Sequence, residues 1–339
     1  MADPQDIEQT AAKTVAEFQM YDDDSVLVAL ISGGADSTAL LHLLTSGTLP
    51  RFGTLHVLHI NHMLRDAQSD GDAAFVQELC GRLDVPYEIA SVDVAAYAEQ
   101  LGLNVEEAGR AVRYEQAKEL LDSLGADASG RIVTAHTLDD RVETFLWRAL
   151  WGAGTGALGS IAPTRNNIIR PLITSTRAEI LDYLRAHGLS WREDATNADR
   201  TRTRAAIRHT LVPAIEQLRP GFRRNLERTM DLCAADDTIL TRMERGFARD
   251  FARRGADGAV LFDATAMRTL EPAMRARTVR SALFDAFPEA RRMDAEHIDA
   301  LVAAFDADTF ARDIGWDLRA ELLCDTLKVA KNRQKGSDG

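Results

Sequence analysis

The apolar period of this chain changes within a single turn. Residues 26–31, Val-Leu-Val-Ala-Leu-Ile, form a continuous apolar run of strand length, and a helix-period segment begins near Ser37. Between them stands Ser32-Gly33-Gly34-Ala35-Asp36-Ser37. A strand that feeds a glycine turn opening a helix converges backbone N–H groups on one point, and the helix dipole adds partial positive charge there. Gly33 and Gly34 let this backbone approach a phosphate without Cβ interference. Ser32 and Ser37 add hydroxyl donors. The carboxylate of Asp36 would repel a phosphate unless a cation bridged the two, which points to a Mg²⁺-nucleotide site. An ordinary N-capped helix start explains a serine and an acid, but not two consecutive glycines between two serines. The loop lacks the lysine and spacing of the Walker A form and the three spaced glycines of the dinucleotide form.

The alternation continues through the first half. Strands are expected at 26–31, 54–61, 85–92 and 131–135, and helices at 36–46, 69–83, 105–124 and 139–150. Buried-looking strands separated by helices predict a parallel sheet covered on both faces, with ligands at the carboxyl ends of its strands. Three polar clusters fall at such ends: the Ser-Gly-Gly turn, His59-Ile60-Asn61-His62, and Ala135-His136. Glycines 152, 154, 156 and 159 mark a loop leaving the sheet, and a helix is expected at 176–187. Beyond Pro213 the pattern predicts helices within 222–254, 272–287 and 294–304, then a short hairpin in 316–330. The expected domains are 1–215 and 216–330, with a disordered tail at 331–339.

With 339 residues and 45% hydrophobic content the chain can build two or three domains. It has no apolar run of membrane-spanning length, and its acidic N-terminus lacks a signal-peptide pattern, so a cytoplasmic protein is expected. Cys80, Cys233 and Cys324 form no Cys-x-x-Cys pair, which leaves zinc ribbons, iron–sulfur clusters and disulfide scaffolds unsupported. A net charge of −12 argues against nucleic acid as a partner, but residues 185–228 carry ten arginines against five acids. That stretch is either a phosphate-binding surface or a solvated helix face.

Further chemistry is concentrated in Ala135-His136-Thr137-Leu138-Asp139-Asp140-Arg141-Val142-Glu143-Thr144. A helix starting near 137 places His136, Asp140 and Glu143 on one face, where carboxylates can hold Mg²⁺ or position a base. Helix capping and first-turn acids explain the same residues without His136, and the stretch alone does not decide. Arg110 and Arg113, one turn apart, can clamp a polyphosphate; pairs such as Glu106–Arg110 are the plainer explanation taken alone. His59 and His62 suit zinc poorly without further ligands nearby.

Ser32-Gly33-Gly34-Ala35-Asp36-Ser37 resembles the PP-loop of ATP pyrophosphatases, enzymes that split ATP between its α- and β-phosphates and adenylate a substrate. The order of motifs resembles the tRNA(Ile)-lysidine synthetase family more specifically. The PP-loop is followed by the His59–Arg65, Asn104–Tyr114 and Ala135–Thr144 stretches. Then come Ile169-Arg170-Pro171-Leu172, the Arg177-x-Glu179-Ile180-x-x-Tyr183 helix, Trp191-Arg192-Glu193-Asp194-Ala195-Thr196-Asn197 and Ile207-Arg208. The likeness covers roughly 20–215, with departures at Met63, Gly109, Trp151 and Ala205.

The resemblance implies an α/β fold with a Rossmann-like parallel sheet of the adenine nucleotide alpha hydrolase type, then a mainly α-helical, tRNA-binding C-terminal domain. It implies ATP-dependent ligation of L-lysine to C2 of the wobble cytidine of a tRNA(Ile) with a CAU anticodon. The reaction runs through an adenylated tRNA, forms AMP and pyrophosphate, and changes decoding from AUG to AUA. Implied catalytic residues are Asp36, Asp140, Arg113 and His136. ATP contacts are implied for Ser32, Gly33, Gly34, Ala35, Asp36, Ser37, His62 and Arg110, Mg²⁺ contacts for Asp36 and Asp140, and tRNA contacts for Arg202, Arg204 and Arg208. No membrane is implied, and a homodimer is left open. The alternatives are a PP-loop tRNA thiolase, which would need paired cysteines, and an inactive nucleotide-binding regulator, which would not need Asp36 and Asp140.

Overall fold

The structure, a computed structural model, describes residues 4–63, 66–126, 128–192 and 203–332. Two compact units divide between Ala234 and Ala235. The first begins with α1 (Pro4–Glu17), β1 (Val26–Leu30), α2 (Ala35–Thr45), β2 (Thr54–Asn61), α3 (Asp66–Leu83) and β3 (Tyr87–Ser91). It continues with α4 (Val94–Leu101), α5 (Val105–Ser123), β4 (Arg131–Val133), α6 (Leu138–Leu150) and α7 (Thr155–Leu158). The strands β5 (Thr164–Arg165) and β6 (Ile168–Ile169) precede α8 (Arg177–Ala186), α9 (Thr203–Ala206), a π-helical turn at Ile207–Leu211, α10 (Val212–Leu218) and α11 (Phe222–Phe251).

The strand order is β3-β2-β1-β4-β6-β5, parallel except for the short β5–β6 hairpin at the edge. β1 is central, and this is why its residues are apolar without alternation: both faces are covered. Leu27, Ala29 and Ile31 pack with Leu40, Leu41 and Tyr183 on one face. Val28 packs with Leu58, Val112 and Ile132 on the other. From β1 the chain steps outward to β2 and β3, then returns to the opposite side of β1 as β4. That reversal leaves a crevice at the carboxyl ends of β1 and β4.

The units divide beyond the boundary expected near 215. Leu138 and Val142 of α6 share a core with Ile207, Val212, Phe222 and Met230. The guanidinium of Arg141, 2% exposed, pairs with Asp231 at 2.7 Å. A Cβ on Gly159 would lie 3.2 Å from the Cβ of Ala234, so a side chain in this part of the 152–159 loop would crowd α11. These contacts join sequence-distant segments and leave no local mark.

In the second unit, which begins partway along α11, come β7 (Ala252–Arg254), β8 (Val260–Asp263), α12 (Ala264–Arg268), α13 (Pro272–Ala286), α14 (Ala295–Ala304), β9 (Phe310–Asp313), β10 (Leu318–Leu323) and β11 (Thr326–Lys331). Most of its residues are helical. The expected hairpin is β10–β11, and it belongs to an antiparallel sheet of order β7-β8-β11-β10-β9. Strands of three or four residues are too short for an alternation to register in sequence. Phe262, Leu283, Leu301, Phe305 and Leu327 lie in the core of this unit. Lys331 closes β11, and the tail expectation for 333–339 lies outside the described residues. Among the described residues no helix is long and apolar enough to cross a membrane.

Candidate active site

A cavity of about 610 Å³ opens at the carboxyl ends of β1, β2 and β4. Ser32, Gly34, Ala35, Asp36 and Ser37 line one wall. Gly33 lies beneath them with φ +86°. Its carbonyl accepts the Arg192 N–H at 2.9 Å and the Thr38 hydroxyl at 3.3 Å, which locks the turn. Ser37 Oγ donates to the Gly34 carbonyl at 3.0 Å and accepts the Ser32 N–H at 3.2 Å. Gly34 caps α2 with no side-chain hydrogen bond, so the first-turn N–H groups face the cavity as an anion site. A Cβ at position 33 would meet Phe75 Cδ1 at 3.2 Å in a backbone region that side chains rarely adopt. Gly33→Ala is therefore expected to destabilise the protein by about 1–2 kcal/mol and to weaken nucleotide binding at least tenfold. Chemical denaturation and a nucleotide titration check both.

Asp36 stands in the first turn of α2. Its Oδ2 accepts from Arg177 at 2.8 Å, while its Oδ1 is buried and finds no hydrogen-bond partner among the described residues. Burial pushes its pKa up to about 6, opposed by Arg177 and reinforced by Asp140. Asp140 is the third residue of α6 and completes a capping box. Its Oδ2 accepts the Thr137 N–H at 2.8 Å and the Thr137 hydroxyl at 3.0 Å. Capping and site chemistry thus coincide in this carboxylate, whose Oδ1 lies 3.7 Å from Arg208. Asp139 is outside the cavity lining and accepts from the Arg177 backbone at 2.7 Å and from Arg223 at 2.9 Å.

His136 lines the cavity with Nδ1 2.8 Å from Thr134 Oγ1. Burial, with Arg170, Arg110 and Arg113 nearby, lowers its pKa to about 4 despite Asp140, so the ring is neutral at neutral pH. His62 also lines the cavity; burial and Arg113 lower its pKa to about 4, and its buried Nδ1 has no partner among the described residues. His59 is a satisfied core histidine bonded to the Ile31 carbonyl at 2.8 Å.

Of the two clamp arginines, only Arg113 lines the cavity, its Nε donating to the Gly109 carbonyl at 3.0 Å. Protein crowded around the concave wall, together with Arg110, holds its pKa below the usual value. Arg110 is exposed outside the lining, with its guanidinium 5.3 Å from the Tyr114 ring. Arg208, expected at an RNA surface, lies in the cavity wall. It makes a two-pronged pair with Glu143 at 2.6 and 2.9 Å. Arg204 is exposed and paired with Glu106. Arg202 and the whole Glu-Asp-x-Thr-Asn stretch at 193–197 lie outside the described residues.

Sequence reasoning passed over Arg177 and Arg192 as site residues, and it read Glu143 as a candidate metal or base carboxylate, whereas both its oxygens are taken up by Arg208 outside the cavity lining. Arg177 is the first residue of a Thr176-capped helix, and nothing local shows that its side chain reaches Asp36. The arginine surplus at 185–228 is largely neutralised. Of its eight described members, Arg185, Arg192, Arg204, Arg208, Arg223 and Arg224 are ion-paired within the fold.

The PP-loop domain family matches residues 5–215. A tRNA(Ile)-lysidine synthase from Caldanaerobacter subterraneus subsp. tengcongensis is 31% identical over 95% of this chain and 69% of its own length. Those of Geobacter sulfurreducens and Solibacter usitatus are 35% and 37% identical over 84% and 82% of this chain. The chain spans 60% and 61% of the lengths of these last two relatives. Among solved structures, the U34-tRNA thiolase NcsA from Methanococcus maripaludis, with its [4Fe-4S] cluster, superimposes with a TM-score of 0.55 at 16% identity. The match covers 68% of this chain and 78% of that one. That likeness is one of fold. With the family match over most of the first unit and relatives above 30% identity along nearly the whole chain, this protein belongs to the tRNA(Ile)-lysidine synthase family of PP-loop proteins.

Proposed function

We propose that the protein joins L-lysine to C2 of the wobble cytidine of a tRNA(Ile) with a CAU anticodon, using ATP. The observation that carries this reading is the convergence of five groups on one cavity: the uncapped α2 N-terminus, two carboxylates, a neutral histidine and Arg113. In the first step the cytidine O2 attacks the α-phosphorus, the bond to the β-phosphate oxygen breaks, and pyrophosphate leaves. In the second, the lysine ε-amine attacks C2, AMP leaves, and the amine gives up a proton.

The turn at Ser32–Ser37 holds the phosphates through backbone N–H groups and hydroxyls. Arg113 stabilises the charge that grows on the α-phosphate oxygens. His136, neutral and tied to Thr134, orients the nucleotide or the cytidine as a hydrogen-bond partner; an imidazole with a pKa of about 4 is a poor proton shuttle. The buried, unpartnered Oδ1 of Asp36 and the Oδ1 of Asp140, held only loosely by Arg208 at 3.7 Å, are oxygen donors of the kind that would hold Mg²⁺. When bound, that ion neutralises phosphate charge. Asp36 and Asp140 supply negative charge that the lysine ammonium can meet before it is deprotonated.

The test is an incubation of purified protein with ATP, labelled lysine and a minor isoleucine tRNA carrying a CAU anticodon. Lysine incorporation with one AMP and one pyrophosphate per product is expected. Pyrophosphate release stimulated by a different acceptor, with no lysine incorporated, would overturn the proposal.

A further inference from the structure

The first unit holds a group of arginines that the fold does not neutralise. Arg110, Arg113, Arg148, Arg165 and Arg170 have no ion-pair partner among the described residues, in a chain with 52 acids. They are neighbours as well as unpaired. After burial, the charges that depress the Arg148 pKa are Arg204, Arg165 and Arg110; for Arg170 they are Arg110 and Arg165. Arg170, 2% exposed, donates to the Ala162 carbonyl at 2.8 Å and leaves its Nε unsatisfied. Glu106, whose charge is felt by Arg113, is itself paired with Arg204. Like charges gathered with so little compensation raise the free energy of the fold unless a polyanion completes them.

Aromatic rings lie among these arginines. Arg110 sits over Tyr114, which lines the cavity. Arg204 sits over Trp147 at 6.0 Å, and Trp147 lies 5.7 Å from Trp151. Trp151 is 62% exposed beside Leu150, 63% exposed, at the end of α6. An exposed indole, linked through Trp147 to Arg204 and from there to guanidiniums without acid partners, suits stacked bases joined by phosphates, and suits a regular duplex poorly, because its bases are already stacked.

We infer that the ends of α5 and α6 and the β5–β6 edge form the RNA platform of this protein, with Trp151 stacking on an unpaired loop base and Arg110, Arg148 and Arg165 holding the adjoining phosphates. This rests on the proposed RNA substrate and places its docking surface next to the cavity mouth at Tyr114. The occupant is a single-stranded loop, and the largely neutralised stretch at 185–228 is not the main contact.

The experiment measures binding of a 17-nucleotide stem-loop with a CAU loop, and of a duplex of equal length, to full-length wild type, Trp151→Ala, Trp151→Phe and Arg165→Ala. Melting curves confirm that each variant is folded; both side chains are exposed, so little change is expected. Trp151→Ala should weaken stem-loop binding about tenfold, Trp151→Phe should restore most of it, and duplex binding should not respond to either. Arg165→Ala should lower the salt dependence of log K by about one. Wild-type affinity in Trp151→Ala and Arg165→Ala overturns the platform. Equal losses on the duplex also overturn it. Lysine incorporation by the wild type tests the proposed function separately: if it fails while the Trp151 series behaves as expected, the platform stands and the chemistry falls.

Discussion

Asp36→Asn is expected to remove pyrophosphate release almost entirely and, in the same protein, to raise stability. The loss follows from the position of the carboxylate. Asp36 stands where phosphate charge must be neutralised, and electrophilic stabilisation of that kind supplies several kcal/mol, or roughly a 10³-fold rate effect. The gain follows from burial. The folded protein holds Asp36 at a pKa of about 6, above the 3.8 usual for an aspartate in water. The folded state therefore binds more protons than the unfolded state between those values. Stability falls as pH rises through about 4 to 6, and the penalty is fully present above 6. Its size is roughly 3 kcal/mol at most. Asparagine carries no charge to desolvate, so the variant should melt a few degrees higher than wild type at pH 7.5 and match it near pH 3.5. Arg177 loses a partner in the variant but is itself 44% exposed, so water replaces the contact. Melting against pH, paired with a pyrophosphate assay, checks both halves. An active variant, or one less stable at pH 7.5, would remove the role assigned to Asp36.

Arg208→Ala should be the most destabilising single change in the cavity wall. Glu143 is 7% exposed, burial raises its pKa, and Arg208 supplies both hydrogen bonds that offset this. Removing the arginine leaves a buried carboxylate uncompensated, at a cost of about 3 kcal/mol. That is the low end for a buried pair, because Arg208 is 36% exposed. Glu143→Gln should cost less, since the amide still accepts a hydrogen bond. The double variant Arg208→Ala/Glu143→Ala should recover part of the loss, giving a coupling energy of at least 1 kcal/mol in a denaturation cycle. Additive losses would mean that the pair is a surface contact without consequence for the fold. The π-helical turn at Ile207–Leu211 is the element that carries Arg208 into the wall, and such turns recur at functional sites.

The sheet was legible because its central strands are buried on both faces, which forces apolar runs, and because helices of three or more turns repeat their period often enough to register. The expected strand at 54–61 coincides with β2, and the expected helix at 105–124 differs from α5 by one residue. The two-residue strands β5 and β6 and the short β7 to β9 carry too few residues for a period. The site was legible wherever a motif lies on one turn of backbone. The Ser32–Ser37 cradle is an instance, since its geometry follows from Gly33 at φ +86° and from the strand and helix on either side. Capping and a place in the cavity could not be separated at Asp140 by sequence, because the same residue caps α6 and lines the cavity.

What the sequence determined by itself was therefore local or periodic: a parallel α/β unit, an anion cradle at the end of its first strand, and three polar clusters on one rim. Tertiary structure decided which charges meet. It placed Arg208, an expected RNA contact, in the cavity wall as the partner of Glu143 and brought Arg177 to Asp36 across 141 positions. It also paired most of the described arginines of 185–228 with acids and left Arg110, Arg148 and Arg165 without an acid partner among the described residues. Charge pairing is set by distance in space and by dielectric, and neither can be read from the order of residues along the chain.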